Sequence, residues 1–377
     1  MIVPRPALER RLLASLDAAR TPVVLGGCGT GRTSLLIRLQ HILGRDRCQY
    51  IDLASLASTP ERCLAMLVSA CPFKLRGGQM GSLASTPRAA FDQLLAFLEG
   101  ATAPDGGPAT FLIDEFLDVR TFESFPGLRQ VQRELIGQLG SGSNRFVLAS
   151  RFTTRAHRLL RDAPARFEVV HMPALEPAEV TALAMLFDGA RPEWARTTAP
   201  VVGALVGGRA AYAHLLLGQL AQMGSGGDPI AALAALFAPD GRLTAYCREC
   251  YDFRLHRARG YGALKAILGV LSDVEPLNLT EIAQRLYRTP GSTKDYLSWL
   301  EDVDLVTVQR KRYTFDDPLL REYVRLYGRA VPPSDDDLVR EIQTYAQGRL
   351  PRTIDPAAAP VVVALPQPDR KSTRLNS

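Results

Sequence analysis

The stretch GGCGTGRTS at residues 26–34 combines closely spaced glycines with one cation and two hydroxyls. Gly26, Gly27, Gly29 and Gly31, with Cys28 and Thr30 between them, leave a run of backbone N–H groups free to surround a phosphate. Thr33, followed by Ser34, places a hydroxyl where it can help hold Mg2+. The pattern G-x-x-x-x-G-K-[ST] is satisfied except that Arg32 occupies the lysine position. Lysine is a compact point charge, whereas guanidinium is wide, planar and inclined to bidentate contact. Arg32 can therefore hold phosphate electrostatically while fitting poorly inside the curl of the loop. Binding can then survive where transfer fails, because transfer depends on how charge is placed in the transition state.

FLIDEF at 111–116 supplies the usual complement, an apolar strand ending in two carboxylates. Asp114 is placed to hold Mg2+ directly or through water, and Glu115 to orient and deprotonate an attacking water. A solvated turn or a helix cap is the alternative for such a pair. In VLASRFTTR (147–155), Ser150 and Arg151 end a neighbouring strand; Ser150 either senses the terminal phosphate or caps the strand. Arg209, in GGRAAYAHLL, opens a later helix and either reaches the nucleotide across a unit junction or lies on the surface.

These residues need a scaffold, and the sequence describes one. PALERRLLASLDAAR has helical spacing; VVLGG reads as a short buried strand running into the glycine loop, and TSLLIRLQHIL as the following helix. Strand, glycine-rich turn and helix are the context this phosphate motif requires, since loop amides and helix N-terminus act together. CQYIDLAS, ATFLIDEF, NRFVLAS and RFEVVHM are further strand patterns, separated by helical segments. Their alternation predicts an α/β fold, a P-loop NTPase core with an open parallel sheet covered by helices on both faces.

Strand signals stop at Pro173, and the next segment predicts helices broken by Gly and Pro. Residues 258–329 read as three helices followed by a charged hairpin, the order of a winged helix, with an ordinary helical packing unit as the alternative. The expected division is a core at 1–172, a helical lid at 173–257, a winged helix at 258–329, and a C-terminal helix with a disordered tail at 330–377. The final RKSTRLNS resembles translated sequencing-adapter read-through, so 371–377 are set aside as foreign. Removing Lys371 and Arg374 would lower the net charge from +6 to +4.

The 377 residues are 46% hydrophobic and 22% charged, which suits a multi-domain globular chain. The longest apolar runs fall short of the ~20 residues a membrane helix needs. MIVPRPALERRLL meets charge too early for a signal peptide, so the chain is expected in the cytoplasm with no membrane partner. Six scattered cysteines then read as reduced thiols. Cys247 and Cys250 have zinc-ligand spacing with His256 nearby, but no second C-x-x-C completes a site, and two buried helix thiols are the alternative.

The ordered motifs resemble the AAA+-related STAND ATPases, especially the archaeal-type P-loop ATPases with helical lid and winged helix, over about residues 1–328. IVPRPALERRLLASL is similar to that family's opening segment, GGCGTGRTSLL and FLIDEF to its nucleotide motifs, LVGGRAAYAHLLL to its lid helix, and YTFDDPLLREYVRLY to the segment closing its winged helix. The chain departs from the pattern at Pro4, Arg32 and Ala210. The resemblance implies ATP and Mg2+ as cofactors, Gly26–Ser34 on phosphate, Thr33 and Asp114 on the metal, and Glu115 on water. It also implies a switch in which nucleotide changes how lid and winged helix sit on the core. The winged helix is a candidate for double-stranded DNA through Lys294, Arg310, Lys311 and Arg312, although Asp295, Glu301, Asp302 and Asp304 oppose them. Docking a protein partner or a second copy is the other use. Three functions follow: an ATP-binding switch with slow hydrolysis, a DNA-binding regulator or mobile-element factor gated by nucleotide, and a catalytically inactive scaffold.

Overall fold

The computed structural model describes residues 4–75, 86–187, 191–224, 226–256, 258, 260–329 and 331–350. The segment set aside as adapter-like lies outside them, as does the tail expected to be disordered. Five parallel strands form the central sheet: β1 (Thr21–Leu25), β2 (Cys48–Asp52), β3 (Thr110–Asp114), β4 (Arg145–Ser150) and β5 (Phe167–His171), in the order β2-β3-β4-β1-β5. All are among the strands that the alternation predicts.

Side chains alternate across the sheet, so each strand feeds two cores. Val24, Leu112, Val147, Ala149 and Val170 pack with Leu8, Leu12 and Leu16 of the N-terminal helix Pro6–Asp17 and with Leu35, Leu36 and Leu39 of α1 (Arg32–Leu43). Val23, Leu25, Phe111, Ile113, Phe146 and Leu148 face the larger core, which continues into the helices beyond Pro173. Burial on both faces explains why these strands read as continuous apolar runs.

The register brings the chemistry to one edge. Leu25 pairs with Ser150 and with His171, while Asp52 pairs with Asp114. The C-terminal ends of the strands, with the glycine loop after β1, therefore share one crevice, where open α/β sheets place their ligands.

The chain then runs through helices Pro177–Ala184, Pro192–Val206, α2 (Ala210–Met223), Pro229–Leu236 and α3 (Arg242–Leu255). Cys247 and Cys250 are buried thiols within α3. Among the described residues, no group of three or more His, Cys, Asp or Glu is placed to hold a metal ion. Helices Tyr261–Asp273, Leu279–Arg285 and α4 (Pro290–Asp302) follow, and then the hairpin of β7 (Val306–Gln309) and β8 (Arg312–Phe315). The hairpin gains a third strand, β6 (Leu277–Asn278), which pairs with β8. Two residues carry no readable alternation, which is why only a hairpin was expected here. α5 (Pro318–Tyr327) and the helix Asp335–Arg349 close the described chain. No helix among the described residues is long and apolar enough to cross a membrane.

Glu322 on α5 is only 3% exposed, and burial pushes its carboxyl up to about 7, with Arg321 and Arg325 opposing the shift. A raised native value means the folded state favours the protonated form. Its contribution to stability is therefore complete below about pH 4.5 and lost as pH rises through about 7. Glu322→Gln should remove that loss, gaining about 2–3 kcal/mol over the parent between pH 4.5 and pH 8 in urea unfolding. A gain independent of pH would contradict the assignment.

Candidate functional site

Leu25 ends β1, and the Gly26 N–H donates to the Ser150 carbonyl at 3.4 Å before the chain curls. Gly29 and Gly31 lie at φ +76° and +93°, in the left-handed region, and Gly31 is the N-cap of α1. Side chains there would be strained, so the curl needs glycine. Thr30 Oγ1 donates to the Gly27 carbonyl at 2.9 Å, tightening the turn. The N-terminus of α1 thus points its free N–H groups into the loop, with Thr33 and Ser34 in its first turn.

Thr33 Oγ1 donates to Asp114 Oδ2 at 2.6 Å, and the Tyr50 hydroxyl donates to the same oxygen at 3.1 Å. Asp114 is 2% exposed; burial raises its carboxyl above the usual range, against the hydrogen bond from Thr33. A hydroxyl and a desolvated carboxylate beside a phosphate loop are hard oxygen donors, and this donor set fits Mg2+. Glu115 follows with φ 50°, a left-handed conformation that a glutamate adopts at a cost of roughly 1–3 kcal/mol. That conformation turns its side chain back to the crevice, where Oε1 meets Arg32 Nη2 at 2.7 Å and Arg151 Nε at 3.0 Å. Glu115 Oε2 accepts from the Arg151 backbone N–H at 3.1 Å.

Arg32 is where the geometry departs from a free phosphate cation. Its Nη1 donates to the carbonyls of Gly26 and Gly27, at 2.7 Å for Gly27, while Nη2 is held by Glu115. Arg32 and Glu115 are both buried, so the guanidinium closes a bridge from the loop to the acidic strand. Its planar fork makes this bridge possible; a lysine presents no second edge.

Ser150 is fully buried and its hydroxyl accepts from the Phe152 N–H at 3.1 Å, the strand-cap arrangement. Arg209 lies against the loop: Nη1 donates to the Cys28 carbonyl at 3.0 Å and Nη2 pairs with Asp316 Oδ2 at 3.1 Å. The start of α2 also touches the loop, since the Ala211 N–H donates to the Gly29 carbonyl at 2.9 Å. A cavity of about 320 Å³ lies beside Gly26, Gly27 and Thr30, with Thr153, Thr154, Arg209, Asp304 and Asp316 around it.

Sequence reasoning did not single out Tyr50, Tyr246, Arg254 or Asp316 as neighbours of the loop. Tyr246 and Arg254 sit eight residues apart on one face of α3, a periodicity present in the sequence but silent about what the face would meet.

No family model matches the sequence, and no curated protein matches it. Among solved structures, a RuvB mutant from Thermotoga maritima aligns at 12% identity, covering 88% of this chain and 96% of that one, with a TM-score of 0.39. A Walker-type ATPase from Pyrococcus abyssi aligns at 17% identity over 86% of this chain and 96% of that one, with a TM-score of 0.64. Together with the parallel five-stranded sheet, the likeness to the Pyrococcus protein shows that this chain has the fold of a P-loop ATPase.

Proposed function

We propose that the chain is an ATP-binding, Mg2+-dependent molecular switch of the AAA+-related STAND type, with slow hydrolysis. Gly26–Ser34 would hold phosphate, and Thr33 and Asp114 would hold the metal, which neutralises phosphate charge when bound. The units are a core at 1–172, a lid at 173–257, a winged helix at 258–329 and a C-terminal helical segment after it. One observation carries the reading: Arg209 ties the Cys28 carbonyl in the loop to Asp316, just before the N-cap of α5. A nucleotide entering the loop changes the partners of that arginine, so occupancy and unit arrangement are linked. Slow turnover follows from Glu115, whose carboxylate is shared by two arginines and is poorly placed to accept a proton from water.

Thermal unfolding with and without MgATP tests the reading. At a ligand concentration of about 100 times Kd, binding should add about 2.7 kcal/mol to stability. No shift in the parent or in Arg32→Lys would sink the switch and favour a scaffold that docks a protein partner or a second copy.

A duplex-binding role has one supporting observation. Asp302 pairs with Arg158, and Asp304 accepts from the N–H groups of Thr153 and Thr154, so both acids are used in docking the end of α4 and the turn after it to the core. Arg310 and Lys311 remain exposed at the hairpin tip. Duplex affinity that falls steeply with salt, with a shallower slope in Arg310→Gln/Lys311→Gln, would favour nucleotide-gated DNA binding.

A further inference from the structure

The face of α3 that meets the phosphate loop carries Tyr246, Cys250 and Arg254 at successive i, i+4 positions, one above another. A Cβ on Gly29 would lie 3.4 Å from the Tyr246 hydroxyl, and one on Gly27 would lie 3.7 Å from Arg254 Nη2. Cys28 stands between those glycines, so the two approaches on either side set it opposite Cys250, the middle residue of that face. Cys28 is partly exposed and Cys250 is buried behind it. Arg254 is 3% exposed, and its Nε and Nη2 have no hydrogen-bond partner. A buried, unpartnered guanidinium favours an anion at its side. The Cys28 thiol is accordingly held below the usual range, by its hydrogen bond to Cys250 and then by Arg254, Arg151 and Arg32, against the effect of burial. Cys247 is directed to Tyr212 instead, and burial keeps its thiol protonated.

We propose that Cys28 and Cys250 form a reversible redox pair, in which oxidation by a hydroperoxide joins them in a disulfide that pins α3 onto the phosphate loop. The Cys28 thiolate attacks the terminal peroxide oxygen, breaking the O–O bond and leaving a sulfenic acid while the alcohol, or water from hydrogen peroxide, departs. The Cys250 sulfur then attacks the Cys28 sulfur, and the sulfenic hydroxyl leaves as water with the thiol proton. Two thiols have lost two electrons and two protons, and the peroxide has gained them. The loop on either side of Cys28 already touches the residues one turn before and after Cys250, so the disulfide joins two segments that are packed together. The disulfide fixes the helical cover against Gly27–Gly29, and a thiol reductant releases it. Its effect on ATP rests on the function proposed above.

The test uses the full chain, reduced and then treated with hydrogen peroxide. Mass spectrometry of an unreduced digest should find a Cys28–Cys250 crosslink that dithiothreitol removes. Deuterium uptake in a peptide spanning residues 26–34 should be slower in the oxidised protein. Cys250→Ser should give no crosslink and leave Cys28 as a sulfenic acid trapped by dimedone; Cys250→Ala serves if serine is poorly accommodated. MgATP should bind the oxidised parent at least about tenfold more weakly than the reduced, a difference absent in the Cys250 variants. A crosslink between other cysteines, or unchanged loop exchange after oxidation, overturns the proposal. If the crosslink and slower exchange appear in a protein that never binds MgATP, the nucleotide reading fails and the redox pair stands.

Discussion

Arg32→Lys should raise steady-state MgATP hydrolysis by about 100-fold, the lower end of what one group correctly aimed at transition-state charge contributes. In the parent, the guanidinium spans the Gly27 carbonyl at 2.7 Å and Glu115 Oε1 at 2.7 Å, so its charge is committed to the protein. A lysine ammonium has one centre and a flexible stem, and cannot hold both partners with the same geometry. It is free to follow the phosphate, and it returns Glu115 to a single side-chain partner, Arg151. The gain should appear mainly in kcat, because under the proposed function the loop amides and the Thr33–Asp114 pair would make the ground-state contacts in both proteins. Adding Glu115→Gln to Arg32→Lys should abolish the gain. Equal turnover in parent and Arg32→Lys, with MgATP bound by both, would mean that the arginine does not limit transfer.

The second large effect concerns stability. Arg32→Met should destabilise the fold by about 3 kcal/mol, since removing one member of a buried ion pair strands the other. Glu115 is 5% exposed and cannot turn to water, and Arg151 alone must then balance it. Glu115→Gln in the Arg32→Met background removes the stranded charge. The double variant should therefore be more stable than the sum of the single losses by about 1–3 kcal/mol, measured as a urea double-mutant cycle. Simple additivity would show that the two side chains are not energetically coupled and that the bridge contributes nothing to closing the loop.

Both experiments turn on a residue that was visible from the start. Arg32 stood out by its position in the motif, and its width suggested a poor fit as a phosphate cation. Its actual occupation, bridging two loop carbonyls and an acid 83 positions away, was not readable. The motif states which residue types adjoin phosphate; it does not say whether a protein carboxylate will reach the cation first. Ser150 illustrates the same limit. Its strand and its position at the strand end were legible, yet the bond its hydroxyl accepts from the Phe152 N–H depended on the path of the chain beyond it.

What the sequence determined by itself was local. Apolar runs of five or six residues made the strands, four glycines made the curl, and helical periodicity fixed the faces that would be buried. Spacing along the chain encodes these directly, because each depends on neighbours within about one turn or one strand. The tertiary structure alone decided what meets at the loop. Arg209, Asp316, Cys250 and Arg254 arrive there from segments far along the chain, and Glu115 reaches Arg32 through a left-handed backbone angle. The packing of a helical face onto a glycine turn depends on the shapes of both surfaces at once, and no pattern within either segment specifies its partner.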